Sequence, residues 1–351
     1  MRFVSNEIKY DFKDVLIVPQ RSKLASRQDV NIIRKYTFKN TPKVLEGTGI
    51  IAANMDTIGT FKMAKELMKH RCFTALHKYY DKPEEVVDFY KENPSAYDYV
   101  FYTIGASEND FKKLLALVDH FGYSGMKIPS MFCLDAANAY TELFVHYLSK
   151  LRNTFPESII MAGNVCTGNM TEELIMRGAN IVKVGIGGGS ACLTRVKAAI
   201  GYPQLSAIDE CSYSAHGVGG HTCSDGGCVV SGDICKALAA GGDFVMIGGM
   251  LAGTSCCAGE IMEKEDGRYF KYYGMSSLEA NQKYNGGLKE YRAAEGKCVW
   301  VKYKGETSEV ILDILGGIRS VCTYVGASNV KDLPKCASFV KTNVQENRIF
   351  N

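Results

Sequence analysis

No apolar run in this chain approaches the roughly 20 residues a bilayer-spanning helix needs, so nothing in it reads as a membrane span. No charge of one sign dominates either. With 41 Lys and Arg against 38 Asp and Glu, the net charge is +3, too even for a nucleic-acid or membrane-surface footprint. The opening Met1–Glu7 lacks the apolar stretch of a secretory signal. Closely spaced Cys-x2-Cys pairs are missing, and none of the six histidines forms a His-Glu-x-x-His pair, so neither common zinc signature is present. No low-complexity tract or linker suggests a second domain.

What is present is ordinary for a globular chain. The hydrophobic fraction is 46% and the charged fraction 23% over 351 residues, which excludes a disordered or fibrous protein. That length fits one large α/β barrel or two medium domains. The thirteen cysteines are odd in number and scattered through apolar contexts such as Met131-Phe132-Cys133-Leu134. This pattern predicts small buried hydrophobes in a reducing, cytoplasmic compartment rather than a disulfide framework.

Short apolar runs recur at Gly49–Ala53, Phe73–His77, Tyr99–Ile104, Met131–Asp135, Ser158–Ala162, Ile181–Gly185, His221–Asp225 and Phe244–Gly248. Several are continuously apolar, as strands buried on both faces should be. Amphipathic stretches separate them. Phe111, Leu114, Leu115 and Val118 follow helical spacing behind the candidate caps Ser107 and Asn109. Tyr140, Leu143, Phe144, Tyr147, Leu148 and Leu151 form a second stripe. Met170–Arg177 and Gly232–Ala240 stop at glycines suited to a helix C-terminus. Eight such units predict a closed (β/α)8 TIM barrel occupying residues 1–351 as one domain, although periodicity alone also allows an open sheet. Residues 1–48 precede the first strand as an N-terminal extension. Residues 255–305 show little period and are expected to be a loop-rich lid or flap after strand eight. A helix near Ser308–Arg319 then closes the barrel.

In this architecture the strand C-termini and following loops build the active site. Three consecutive loops there are glycine-rich: Gly185-Ile186-Gly187-Gly188-Gly189-Ser190, then Ser224-Asp225-Gly226-Gly227, then Ile247-Gly248-Gly249-Met250. Glycine admits positive φ and close backbone approach, so such loops can turn N–H groups toward a phosphate. Asp225 is placed to accept hydrogen bonds from ribose hydroxyls. The pattern Gly185-x-Gly187-x-x-Ser190 is not read as a dinucleotide fingerprint, because it lies in the sixth unit rather than the first. Cys192 sits in this polar loop, three residues before Arg195, where positive charge and free N–H groups favour a thiolate nucleophile. Thr194 could relay a proton if given a partner. Glu295, in the flap, is a candidate carboxylate, though spacing alone favours a solvated charge.

Gly189-Ser190-Ala191-Cys192-Leu193-Thr194, Ser224-Asp225-Gly226-Gly227 and Tyr273-Gly274-Met275-Ser276-Ser277 resemble the IMP dehydrogenase/GMP reductase family. Asn54-Met55-Asp56, His77-Lys78, Met161-Ala162-Gly163-Asn164, Gly201-Tyr202-Pro203-Gln204 and Thr323-Tyr324-Val325-Gly326 extend the resemblance from Asp11-Phe12-Lys13-Asp14 to the C-terminus. The chain looks more like the reductase branch. Residues 78–98 leave no room for the regulatory pair most dehydrogenases insert, and Thr194-Arg195-Val196-Lys197 and Glu290–Gly296 read as reductase-like strings. A dehydrogenase lacking the regulatory pair, or a non-catalytic nucleotide-binding barrel, remain the alternatives.

The resemblance implies reductive deamination of GMP to IMP and ammonia with NADPH. Catalysis would fall to Cys192, Thr194 and Glu295. Substrate would meet Ser190, Asp225, Gly226, Gly227, Gly248, Gly249, Gly274, Met275, Ser276, Arg292, Ala293, Ala294 and Gly296. NADPH would meet Lys78, Asp135, Ala136, Ala137, Ile186, Gly187, Met275, Ser276, Tyr291 and Arg292. A neighbouring subunit would add Ser26, Arg27, Ser320, Val321, Cys322 and Thr323, which implies a homo-oligomer, in this family a tetramer. Relatives bind potassium (K+) on the backbone of Gly187, Gly189, Cys192 and Arg195. The chain departs from the family's usual pattern at Gly188 (usually Pro), Leu193 (Thr), Ala139 (Gly) and Ser231 (Pro). The flap is expected to be poorly ordered until nucleotide and cofactor bind.

Overall fold

A computed structural model describes residues 6–343 and 345. Eight parallel strands close into a barrel in chain order: β1 (Ile50–Ala52), β2 (Phe73–Leu76), β3 (Val100–Gly105), β4 (Met131–Asp135), β5 (Ile159–Val165), β6 (Ile181–Val184), β7 (His221–Asp225) and β8 (Phe244–Ile247). Pairing of Val245 with Ile50 joins β8 to β1 and removes the open-sheet alternative. Outside them run α1 (Phe61–Lys69), α2 (Pro83–Glu92), α3 (Glu108–Tyr123), α4 (Glu142–Thr154), α5 (Gly168–Met176), α6 (Gln204–Gly217), α7 (Ser231–Ala239) and α8 (Thr307–Val325).

Strand parity divides the core in two. Phe73, Ala75, Phe101, Met131, Cys133, Ile159, Met161, Ile181, Cys223 and Phe244 fill the barrel interior. Residues of the other parity, among them Leu76, Tyr102, Phe132, Leu134, Val182 and Val184, pack against the helices. Both faces are therefore dry, which is why these strands read as unbroken apolar runs. All thirteen cysteines are free and ten of them are buried.

The extension before β1 becomes a plug. An antiparallel hairpin, Arg34–Phe38 paired with Thr41–Gly47, sends Tyr36, Phe38 and Leu45 into the interior core. Tyr36 stacks on Phe244 with ring centroids 4.1 Å apart. At the same end Asp243, one residue before β8, accepts hydrogen bonds from Arg34 Nη2 at 2.5 Å and from the Thr222 backbone N–H at 2.9 Å. His216 Nε2 lies 2.8 Å from its carboxylate and His221 Nδ1 3.3 Å.

Four local expectations need correction. Ser107, not Asn109, caps α3, its hydroxyl accepting from the Asp110 N–H at 3.1 Å. The stripe assigned to α4 starts too early. Thr141 is the cap, Tyr140 precedes the helix and Leu143 is 58% exposed. The closing helix runs past Arg319 to Val325, where Gly326 takes a left-handed conformation (φ 78°) that ends it. The flap is not loop-rich throughout: β9 (Ile261–Lys264), β10 (Gly267–Tyr273) and β11 (Cys298–Lys302) form an antiparallel sheet, with a helix at Leu278–Tyr284. Its period was hidden because aromatics occupy both faces of β10. Phe270 and Tyr272 are buried, while Tyr269 alternates with them on a more open face.

Candidate active site

A cavity of about 790 Å³ opens at the C-terminal ends of the strands. Gathered around it are Lys78, Asp135, Ala136, Ala137, Ile186, Gly187, Gly189, Ser190, Cys192, Thr194, Asp225 and Gly226, joined from the flap by Gly274, Met275, Ser276, Arg292 and Glu295. Lys78 and Glu295, 217 positions apart in sequence, thus share one pocket because parallel β/α units deliver every strand's C-terminus to the same rim.

Half-buried Cys192 sits on the β6–α6 loop. Its thiol donates to Thr194 Oγ1 at 3.2 Å, and Thr194 in turn donates to Glu295 Oε2 at 2.6 Å. The sulfur is thereby linked to a carboxylate through one hydroxyl, the partner Thr194 lacked on spacing alone. Backbone contacts hold Glu295 there. Its carbonyl accepts from the Leu193 N–H at 2.6 Å, and Cys192 bridges Gly296 in antiparallel fashion. Thr194 and Glu295 are 101 positions apart, so only folding tells the paired carboxylate from a solvated one.

Arg195 does not play the electrostatic part that its proximity in sequence suggested. Its guanidinium pairs with Asp11 at 2.9 Å and donates to the Tyr202 carbonyl at 2.6 Å, lining a neighbouring cavity with Asp14, Gly188 and Gly227. Asp11 also accepts from the Gln204 N–H at 2.6 Å, and Gln204 Nε2 donates to the Val184 carbonyl at 2.7 Å. The motifs around Asp11 and Gln204 therefore brace the cysteine loop from beneath.

Glycine is required at specific places. Gly185 has φ +145°, and a Cβ there would collide with the Asp225 carbonyl. A Cβ on Gly249 would strike Ser190 Oγ, which explains the pair after β8 as close packing against the loop. Neither Gly248 nor Gly249 lines the cavity. The same holds for Gly227, Tyr291, Ala293, Ala294 and Gly296.

Ser26, Arg27, Ser320, Val321, Cys322 and Thr323 also lie away from this cavity. They are close to one another, since Arg319 of α8 donates to the Arg27 carbonyl at 3.4 Å. Cys322 is fully buried within its own chain, so any contact made by this patch falls to its neighbours.

Three residues have contacts that the sequence does not assign, although Asn164 and Asp56 lie in motifs quoted above. Lys183 on β6 is fully buried and pairs with both Asp135 and Asp225. A charge inside Ile181-Val182-Lys183-Val184 was the available signal. Asn164 donates to Asp225 Oδ2 at 2.9 Å and to the Gly185 carbonyl at 2.8 Å. Asp56 accepts from Tyr273, Lys283 and Tyr284 of the flap at 2.5, 2.9 and 2.6 Å. Burial alone would raise the pKa of Asp56, but these donors hold it below the usual carboxylate value. The flap is thereby docked on the β1–α1 loop. Nearby His77, stacked on Tyr80, is pushed down to about 4 by burial.

A family model described as the IMP dehydrogenase / GMP reductase domain matches residues 9–348. The chain belongs to that family. Within it, GMP reductase 2 of Homo sapiens is 49% identical over 353 residues, covering 100% of this chain and 99% of that protein. GMP reductase 1 of Mus musculus is 48% identical over 349 residues, with 99% of each covered. GMP reductase of Onchocerca volvulus is 48% identical over 352 residues, covering 99% of this chain and 94% of its own length. Among the described residues, no helix is long and apolar enough to cross a membrane.

Proposed function

We propose that this enzyme of the IMP dehydrogenase/GMP reductase family reduces GMP to IMP and ammonia with NADPH, through a covalent bond between Cys192 and purine C2. The observation that carries the reading is the Cys192–Thr194–Glu295 chain at the mouth of the barrel, in a protein whose full-length relatives bear the name GMP reductase.

Cys192 Sγ adds to C2, and a soft sulfur suits a step in which the same atom must later depart. The path through Thr194 to Glu295 carries a proton to the C2 amino group, which leaves as neutral ammonia and gives a cysteine thioimidate. Asp225 accepts from the ribose hydroxyls, held in place by Asn164. Ser190 and the backbone of the Gly185–Gly189 loop and Gly226, which line the cavity, suit the monophosphate. Past Cys192 the cavity continues to Lys78, Asp135, Ala136 and Ala137, where short side chains beside a lysine suit an anionic dinucleotide. A reduced nicotinamide held by these residues would supply the hydride that C2 needs, and the C2–S bond would break with Cys192 leaving as the thiolate.

A potassium ion fits less well. Gly189's carbonyl already accepts from the Cys192 N–H at 2.9 Å and Gly188's from the Gly227 N–H at 2.8 Å. The patch formed by Ser26, Arg27, Ser320, Val321 and Thr323 suits the completion of the dinucleotide site by a second copy, in a homotetramer. Free cysteines agree with a cytoplasmic setting.

The test is loss of reduced-cofactor absorbance when purified protein meets GMP and NADPH across a potassium series. Turnover dependent on GMP supports the assignment, and none at any potassium concentration overturns it. Production of NADH from IMP and NAD would instead make the chain a dehydrogenase.

A further inference from the structure

Lys183 is the one charged side chain of β6, and it points into the barrel with Ile181 rather than out with Val182 and Val184. Its stem passes Gly163 on β5, where a Cβ would come within 2.5 Å of Lys183 Cβ. The glycine of the Met161–Asn164 motif thus makes room for this lysine. At the top of the barrel the ammonium bonds Asp135 Oδ1 of β4, and Asp225 Oδ2 of β7 at 3.3 Å. Asn164 donates to the same Asp225 oxygen.

Asp135 and Asp225 share one side of the cavity, 31% and 23% exposed, where two carboxylates repel each other, while the Lys183 ammonium, only 2% exposed, would be costly without partners. Together the three groups satisfy one another. Burial works against the charge on Lys183, yet the two aspartates hold its pKa well above the ordinary lysine value. The two partners serve different ligands in the reading given above. Asp225 meets the substrate ribose, while Asp135 lies on the dinucleotide side.

We propose that Lys183 is a positioning residue that ties the substrate carboxylate Asp225 to the cofactor carboxylate Asp135, so that each nucleotide's affinity depends on the aspartate of the other half-site. This rests on the assignment of Asp225 and Asp135 to the two ligands. Lys183 acts through them and performs no chemical step.

The experiment is steady-state kinetics on the full-length protein with GMP and NADPH varied in turn. Lys183→Met should raise KM for both ligands at least tenfold, and Lys183→Arg should bring both back to within about threefold of the parent. A purely structural lysine would lower the active fraction and leave both KM values unchanged. Should Lys183→Met fail to fold, the crossed variants decide. Asp135→Asn should raise KM for GMP at least fivefold, and Asp225→Asn should do the same for NADPH. The inference is overturned if each aspartate variant affects only its own ligand, or if a folded Lys183→Met protein keeps either KM within twofold. Failure of the parent protein to oxidise NADPH with GMP would instead overturn the functional assignment, so the two failures are distinguishable.

Discussion

Replacing Asp243 by Asn should destabilise the protein by about 3–4 kcal/mol while leaving turnover per folded molecule unchanged. The carboxylate is fully shielded from solvent and joins Arg34 of the plug hairpin, the Thr222 N–H of β7 and two histidines. Arg34 is itself only 17% exposed. Removing one partner of a buried pair leaves the other charge uncompensated, at about 3–5 kcal/mol. A neutral amide keeps the shape and one acceptor, so the lower half of that range applies. At about 1.4 kcal/mol per factor of ten, the folded-to-unfolded ratio falls by two to three orders of magnitude. Pairing Arg34→Met with Asp243→Leu should recover more than half the loss, because no charge is then stranded.

The pH dependence follows from two opposite shifts. Burial alone would raise the Asp243 pKa, but the hydrogen bond with His216, the His221 ring 3.3 Å away and the charge of Arg34 hold it far below the carboxylate range. Its stabilisation is therefore complete above the unfolded value of about 3.9 and fades as pH falls toward the native one. The hydrogen bond to Asp243 outweighs burial at His216 and raises its pKa. That contribution is complete below about pH 6.5 and fades as pH rises through the raised native value. His216→Ala should thus cost more stability at pH 5.5 than at pH 9. Urea titrations followed by circular dichroism, with slopes compared to detect altered unfolding, measure all of this. An Asp243→Asn midpoint equivalent to less than 1 kcal/mol of loss would refute the reasoning. So would lost turnover in a fully folded variant, since the hub lies at the opposite end of the barrel from Cys192.

Cys192→Ala should abolish turnover and still bind GMP, whereas intact-mass measurement of the parent during turnover should show a purine adduct on Cys192. Glu295→Gln should lower kcat by about 10²–10⁴, the usual range for a positioned proton donor or acceptor, with a far smaller change in KM for GMP; stopped-assay ammonia release measures it. Gly185→Ala should disturb the Asp225 carbonyl and raise KM for GMP, because the residue sits at φ +145° with no space for a Cβ; an unchanged KM would contradict this. GMP and NADPH together should slow hydrogen exchange across residues 278–296, because Glu295 and the donors to Asp56 both lie on the flap. Equal protection with and without ligands would count against that ordering.

Much of the architecture was legible because it is periodic. Continuously apolar strands at regular spacing marked a barrel buried on both faces, and glycine runs on three consecutive strand ends marked the functional rim. Cys192 stood out among thirteen cysteines because its neighbours are glycine and serine rather than aliphatic. The aromatic flap is illegible for a related reason: with Tyr or Phe on both faces of β10, composition does not report which side is buried.

Sequence alone marked the eight strand segments and the glycine- and serine-flanked loop that holds Cys192, while closure into a barrel came from the pairing of Val245 with Ile50. Tertiary structure alone decided which charges are partners. Thr194 meets Glu295 across 101 positions, Lys183 meets Asp135 across 48, and Arg34 meets Asp243 across 209. Hydrophobic periodicity is a local property written into neighbouring residues, whereas an ion pair needs only two side chains at the right points of a closed barrel. Nothing in the intervening chain has to register their meeting.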